Sequence, residues 1–195
     1  MGFTPIHFTE DDRIFQDQIR RFAAREVAPI ADEIDHEDRF PAEVIPKFGD
    51  MGLLQWSVPE EYGGPAGSLT KLCIAREELA KYSLSLSVMV GENGNGMALP
   101  LLFGGTDAQK AKYFPLLAKG RTLVAFALSE PEAGSDAAAL RTRAVRNGDD
   151  WLITGNKIFV TCGPVADYVL VLARTNDAPR AKGVSAFIVD TSLQQ

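Results

Sequence analysis

The chain has 195 residues and a formal net charge of −6, and hydrophobic residues make up 46% of it. This composition is typical of a globular protein and excludes a disordered chain. The acidic balance argues against nucleic-acid binding, which depends on Lys and Arg beside phosphates. No apolar run of about 18 residues predicts a membrane span.

The N-terminus and the cysteines favour a reduced, cytoplasmic protein. The first residues, MGFTPIHFTEDDR, contain no charged region followed by an apolar core, so we expect no secretory signal. Cys73 and Cys162 form no CxxC pair and no disulfide framework. Two histidines are too few for a convincing zinc site or His-based triad, so no metal is expected.

Residues 9–120 are predicted to be helical. Thr9 followed by Asp12 predicts a capping box, and apolar residues then recur at helical spacing. A second helix is predicted over Pro41–Met51, with proline in its first turn and glycine just beyond its end.

Further along, VPEEYGGPAGS at Val58–Ser68 is typical of a surface loop. Its last residue, Ser68, is a predicted N-cap for the helix that follows. Thr106 and Gln109 predict another capping box, for a helix that ends near Gly120.

From residue 123 the pattern changes to short runs rich in β-branched and aromatic residues. Asn147-Gly148 predicts a hairpin, and Gly155-Asn156 is a second candidate turn. We therefore predict an α+β fold, with an all-α domain over 1–120 and a partial antiparallel β domain over 121–195. The β part offers few strands to cover its own edges, so we expect it to be incomplete. The predicted strands are LVAFALS, RAVRNG, WLITG, KIFVT, DYVLVLART and GVSAFIVD.

The run FALSEPEAGSD, at 126–136, begins as an apolar strand and becomes small, polar and acidic. Ser129 offers a hydroxyl, and Ala133–Ser135 offers successive N–H groups that can surround an anion. Gly134 would allow a close approach of the backbone to a ligand. Composition alone favours the simpler alternative, an ordinary strand-end loop capped by Asp136.

The run GNKIFVTCG, at 155–163, places Phe159 and Thr161 two residues apart, which predicts that they share a strand face. A ring beside a hydroxyl is able to pack on a flat heterocycle and bond to its edge. The alternative is an aromatic residue of a sheet core, and this segment alone favours that alternative.

Several ordered motifs together resemble the acyl-CoA dehydrogenase family. FALSEPEAGSD, NGDDWLITGNKIFVT, ADYVLVLART and GVSAFIVD are similar to its middle domain. GLLQWSVPEEYGGPAGS and GGTDAQKAKYFPLLAKG are similar to its N-terminal helical domain. The resemblance extends over essentially the whole chain, in the expected order.

The resemblance implies an FAD enzyme that removes two hydrogens from the α and β carbons of an acyl-CoA. The strand Phe126–Ser129 would lie along the flavin ring, and Gly134 with Ser135 near the pyrophosphate. Phe159 would pack against the isoalloxazine, with Thr161 near N5. The implied cofactor-binding residues are Phe126, Leu128, Ser129, Gly134, Ser135, Phe159, Val160 and Thr161.

On the substrate side, the resemblance implies that Ser135 also meets the CoA arm and that Ser87–Pro100 borders the acyl pocket. Glu92 and Asn95 would then limit the depth of that pocket. The alternative, that both are solvated or helix-terminal groups, stays open. The chain also departs from the family pattern. Glu132 stands where glycine is common, beside the expected pyrophosphate, and Cys162 replaces a frequent Asn or Ser.

The family's catalytic base is a carboxylate of a C-terminal helical domain, and no residue of this chain aligns with it. Glu77, Glu78 and Glu130 do not match the base motif, so no catalytic residue is predicted. We expect the chain alone to hold FAD weakly and to be inactive. Implied partners are an electron-transfer flavoprotein-like acceptor and further subunits in a homo- or hetero-oligomer.

Three other interpretations stay open at this point. The first is a separately encoded subunit that assembles with a chain supplying the C-terminal helices. The second is a non-catalytic module that binds flavin or acyl-CoA. The third is a relative of the acyl-CoA oxidases or nitroalkane oxidases.

Overall fold

The computed structural model describes residues 8–65 and 67–193, except for the side chain of Asn95. The predicted lack of a secretory signal concerns mainly residues 1–7 and lies outside this range. Within the described range, no helix is both long and apolar enough to cross a bilayer.

Helices make up the first part of the chain. The α-helices are α1 (Glu10–Phe22), α2 (Ala28–His36), α3 (Ile45–Asp50), α4 (Leu69–Ala80), α5 (Leu84–Asn93), α6 (Leu99–Gly104) and α7 (Asp107–Ala118). Two π-helical turns, Ala23–Val27 and Gly94–Ala98, join α1 to α2 and α5 to α6. Short 3₁₀ turns lie at Ala42–Val44 and Glu60–Tyr62.

Local capping explains where several of these helices begin. Thr9 Oγ1 accepts the Asp12 N–H at 3.1 Å, and the Asp12 carboxylate accepts the Thr9 N–H at 3.0 Å. The same reciprocal pair forms between Thr106 and Gln109, so both predicted capping boxes are confirmed. The predicted N-cap Ser68 accepts the N–H of residue 71.

The helix predicted over Pro41–Met51 is shorter in the structure. A 3₁₀ turn over Ala42–Val44 precedes it, and α3 starts at Ile45 with Pro46 in its first turn. Proline suits a first turn because that N–H has no intrahelical acceptor.

Two hydrophobic cores hold the helices and the sheet. The first lies among α1 to α5 and includes Ile19, Phe48 and Leu79, each with no exposed surface. The second joins α6 and α7 to the sheet, through Phe114 and Val124. Burial of this apolar surface supplies most of the stabilisation.

The β part is a five-stranded mixed sheet. Its strands are β1 (Val124–Ala127), β2 (Arg143–Asn147), β3 (Asp150–Thr154), β4 (Tyr168–Arg174) and β5 (Val184–Asp190). β2 with β3 and β4 with β5 are antiparallel, as predicted. The pairing of β1 with β4, and the one residue pair between β2 and β4, are parallel. The α+β class is therefore confirmed, but the sheet is not purely antiparallel.

The predicted strand KIFVT does not form. Residues 155–160 have no regular secondary structure, and Gly155-Asn156 is not a hairpin turn. Phe159 has a φ of +55°, in the left-handed region that strands exclude. The expectation that Phe159 and Thr161 share a strand face was therefore wrong.

The two parts of the chain meet at a buried amide. Asn93, at the end of α5, donates from Nδ2 to the carbonyl of Thr122 at 2.6 Å. Its Oδ1 accepts the N–H of Val124, the first residue of β1, at 2.9 Å. Both ends of one side chain thus join α5 to β1.

Candidate functional site

The two segments predicted to contact a cofactor lie side by side. The chain leaves β1 after Ala127, and Ser129 then accepts the N–H of Ile158 through its carbonyl at 2.9 Å. Lys157 Nζ donates to the carbonyl of Leu128 at 2.9 Å. The segments around residues 128–129 and 157–159 therefore form adjoining parts of one surface.

A buried carboxylate lies at the base of this contact. Glu130 is 5% exposed, and its carboxylate accepts from Lys157 Nζ at 2.8 Å. It also accepts the N–H groups of Arg141 at 2.6 Å and Thr142 at 2.9 Å. Burial opposes ionisation of this carboxyl, but the Lys157 ammonium and the N–H donors outweigh it and lower its pKa to about 2.

The sequence did not predict this role for Glu130 or Lys157. A signal was present, since each lies within two positions of a residue predicted to contact the cofactor. Their pairing spans 27 positions, however, and nothing local in the sequence indicates it.

A tight turn follows Glu130. The N–H of Glu130 donates to the carbonyl of Ala133 at 2.7 Å, and the reverse bond is 3.1 Å. Gly134 and Ser135 follow on the surface, and within the described residues their N–H groups donate to no backbone acceptor. Space beside Gly134 is open, since nothing lies within 4 Å of where a Cβ would stand. Glu132 is exposed, so its charge is in solvent.

Phe159 is the most exposed large hydrophobic residue of the described chain, at 89%. Its left-handed backbone costs about 1–3 kcal/mol for a non-glycine residue. An apolar ring held in water on a strained backbone is a candidate contact surface for a ligand. Val160, next to it, is half-buried and its carbonyl accepts the Gly163 N–H at 2.9 Å.

Thr161 and Cys162 line a different space, a cavity of about 530 Å³. The cavity lies between α2, α5 and the loop that carries these two residues. Phe126 and Phe159 are not among its lining residues. The structure thus separates the predicted contacts into an open surface around Phe159 and a recess that Thr161 borders.

Glu92, on α5, lies close to β1, and it does not line the recess. Its Oε1 and the Cβ of Phe126 each lie 3.7 Å from the position that a Cβ at Gly96 would occupy. Burial raises the pKa of the Glu92 carboxyl, and Arg76 partly offsets the effect. Burial, with a smaller contribution from Glu92, raises the pKa of the Cys162 thiol to about 11.

Asn93 explains why Glu92 occupies this place. The amide of Asn93 fixes the end of α5 to the start of β1, so the residue before it is held close to Phe126. No sequence motif predicts a role for Asn93. The side chain of Asn95, proposed beside Glu92 in the pocket, lies outside the described residues.

The arrangement fits a flat aromatic group that carries an anionic tail. The Phe159 ring offers an apolar face, and the hydroxyl of Ser129, after β1, offers a polar contact. The free N–H groups of Gly134 and Ser135, with open space beside them, suit a phosphate. FAD has this combination of groups.

Comparison with known families and proteins agrees with this chemistry. Residues 9–121 match the family model described as "Acyl-CoA dehydrogenase, N-terminal domain". Residues 125–195 match the model described as "Acyl-CoA dehydrogenase, middle domain". Among curated proteins, the chain is 42% identical to cyclohex-1-ene-1-carbonyl-CoA dehydrogenase of Syntrophus aciditrophicus (strain SB), over 96% of this chain and 45% of that protein.

Solved structures show the same architecture. Butyryl-CoA dehydrogenase from Megasphaera elsdenii matches with a TM-score of 0.88 and 32% identity, over 96% of this chain and 50% of that one. A glutaryl-CoA dehydrogenase from Mycobacterium smegmatis in complex with FADH2 matches with a TM-score of 0.85 and 29% identity, over 94% of this chain and 46% of that one.

The chain spans about half the length of the curated relatives it matches. Within that span both family models match, and they follow each other in the order of the two parts of the fold. The chain therefore belongs to the acyl-CoA dehydrogenase family.

Proposed function

We propose that this chain contributes the flavin-binding surface of an oxidoreductase that removes two hydrogens from the α and β carbons of an acyl-CoA. The observation that carries the proposal is the contact between residues 128–129 and 157–158, beside the exposed ring of Phe159. The helical domain is assigned to residues 1–120 and the β domain to residues 121–195.

In this proposal each part of the surface has a separate task. FAD bound on this surface would supply the hydride acceptor for the β carbon of the acyl group. Phe126 and Phe159 supply apolar contact to its ring, while Leu128, Ser129 and Val160 lie at the polar edge. Thr161, which borders the recess, is assigned to the same edge. Gly134 and Ser135 hold the pyrophosphate, and Ser135 also meets the CoA arm. Glu92 closes the acyl pocket, and its carboxylate lies close to β1, on the side of Gly96.

The general base is proposed to lie outside the described residues. Glu78 and Glu130 are unsuited to proton removal, because both are buried in ion pairs. For each, burial opposes ionisation but cationic partners outweigh it and lower the pKa. A carboxylate held this firmly in its ionised form is a weak base.

The chain alone is therefore expected to show no dehydrogenation. The purified 195-residue chain, given FAD, an acyl-CoA and a dye acceptor, should not reduce the dye. Measurable turnover would contradict the proposal that the base comes from elsewhere. The electron-transfer flavoprotein-like acceptor, the oligomeric assembly and the cytoplasmic location remain proposals that rest on the family resemblance.

Binding of FAD tests the proposal directly. Titration of the chain into FAD, followed by flavin fluorescence, should show weak but saturable binding. Ser129→Ala removes one polar contact to the ring edge and should raise the Kd about three- to tenfold. Ser192→Ala, on an exposed segment after β5, is the matched control and should leave the Kd unchanged. Absence of saturable binding would contradict the proposal.

One observation favours a second candidate, a non-catalytic module that binds flavin or acyl-CoA. The buried carboxylates of Glu78 and Glu130 are held in ion pairs and are therefore not available as bases. Binding of flavin to the proposed surface does not need a base. Addition of a chain that supplies the family's C-terminal helices separates the two candidates, because only the enzyme would gain turnover. Reactivity of the bound flavin with oxygen would distinguish an oxidase from a dehydrogenase.

A further inference from the structure

The ion pair between Glu130 and Lys157 is unusual for this protein because both partners are inaccessible. The side chain of Lys157 is 11% exposed and that of Glu130 is 4% exposed. In the other ion pairs of the described chain, at least one partner is 32% exposed or more. Replacement of a buried ion pair by apolar groups is often neutral for stability, so stability alone does not account for it.

The pair joins three segments of backbone. Lys157 Nζ bonds to the carbonyl of Leu128 and to the Glu130 carboxylate, at 2.9 and 2.8 Å. The same carboxylate accepts the N–H groups of Arg141 and Thr142, just before β2. The end of β1, the start of β2 and the loop after β3 therefore converge on one buried charge pair.

Two of these three segments lead into the proposed flavin surface. Leu128 and Ser129 belong to it, and Phe159 follows Lys157 by two positions. The strained φ of Phe159 requires firm support on one side, since a strained residue relaxes when its neighbours are free to move. The Lys157 contacts and the bond from Ile158 to Ser129 provide that support.

We propose that the Glu130–Lys157 ion pair is a positioning element that sets the separation between the strand-end loop at 128–130 and the Phe159 ring, and thereby controls flavin affinity. The inference rests on the proposed function, because it takes the surface between these segments as the flavin site. Neither residue touches the flavin in this account. Both residues act by fixing the backbone groups to which they bond.

The variant Lys157→Met tests this, since it keeps an unbranched side chain of nearly the same length but removes the charge and both hydrogen bonds. FAD titration should show a Kd raised at least about tenfold, and the visible spectrum of bound flavin should shift. Lys157→Gln, which keeps a donor for Leu128, should have a smaller effect and serves if the methionine variant does not fold.

The matched control is Lys81→Met. Lys81 pairs with another buried carboxylate, Glu78, which is 1% exposed and lies in the helical part of the chain. This variant should lose stability to a similar or smaller extent and keep the parent Kd for FAD. An equal loss of affinity in both variants would overturn the inference, since the effect would then be global.

Hydrogen exchange gives a readout that needs no flavin. In Lys157→Met the amide of Ile158, which bonds to Ser129, should exchange faster than in the parent, while amides of α4 remain unchanged. Unchanged exchange at Ile158, or an unchanged Kd, would overturn the positioning role. Failure of the parent to bind FAD would instead contradict the proposed function, and it would appear before any variant is made.

Discussion

At the scale of single residues, Phe159 combines an exposed ring with an unfavourable backbone conformation. Its ring is 89% exposed, so it contributes almost no packing, and its φ of +55° is unfavourable for a non-glycine residue. Phe159 therefore lowers the stability of the folded chain. An observed backbone outlier of this kind supports a functional hypothesis.

The variant Phe159→Asn separates the two effects. Asparagine tolerates the left-handed region better than phenylalanine, so the free energy of unfolding should stay equal or rise by up to about 1 kcal/mol. Loss of the ring should raise the FAD Kd about tenfold. Urea unfolding and flavin titration of the same protein measure both. A stability loss above about 1 kcal/mol would show that the ring packs against the protein.

At the scale of elements, the hairpin of β2 and β3 depends on one glycine. Gly148 has a φ of +66°, with nothing within 4 Å of an added Cβ. Gly148→Ala should therefore destabilise the protein by about 1 kcal/mol through backbone conformation alone. Gly104→Ala is the matched control, because its surroundings are equally open and its φ is not positive. Equal urea midpoints for the two variants would contradict this explanation.

Elements held by contacts between residues close in sequence were predictable, and elements held by contacts between distant residues were not. The capping boxes at Thr9 and Thr106 were predictable, because the bonds join residues three apart. The segment around Phe159 was not, because a run of β-branched and aromatic residues favours a strand. Its conformation is instead held by Lys157, which bonds to a carbonyl 29 positions away.

The sheet and the site also depend on contacts between residues that are far apart in sequence. The parallel pairing of β1 with β4 depends on a crossover of about 40 residues, which alternation of side chains does not reveal. Asn93 bonds to residues 29 and 31 positions away, so a local pattern gives it no significance. The motif resemblance supplied the candidate residues of the site, while the contacts that place them required the structure.

At the scale of the whole molecule, acid should weaken the fold through Glu130. Its pKa is about 2 in the folded chain, against an ordinary value of 4.5. Because its pKa is lower in the folded chain, the ionised carboxylate stabilises the folded state at pH values above the unfolded pKa. This stabilisation is lost as the pH falls from about 4.5 towards 2. The shift corresponds to about 3 kcal/mol.

Glu130→Gln should remove this component, in addition to lowering stability at neutral pH by leaving buried N–H groups poorly paired. Its free energy of unfolding should then change less steeply between pH 4.5 and 2 than that of the parent. Glu132→Gln, an exposed carboxylate two positions away, is the control and should follow the parent curve. Parallel curves for the parent and Glu130→Gln would contradict the assignment.

The amide of Asn93 has a consequence for how such proteins diversify. The Asn93 side chain joins α5 to β1 by bonding only to main-chain groups. This contact therefore does not depend on the identity of the neighbouring side chains. Position 92 can then change in size or polarity while the helix stays in register with β1. Under the proposed function, a change at position 92 would alter the acyl pocket without moving β1, because Asn93 holds the helix in place.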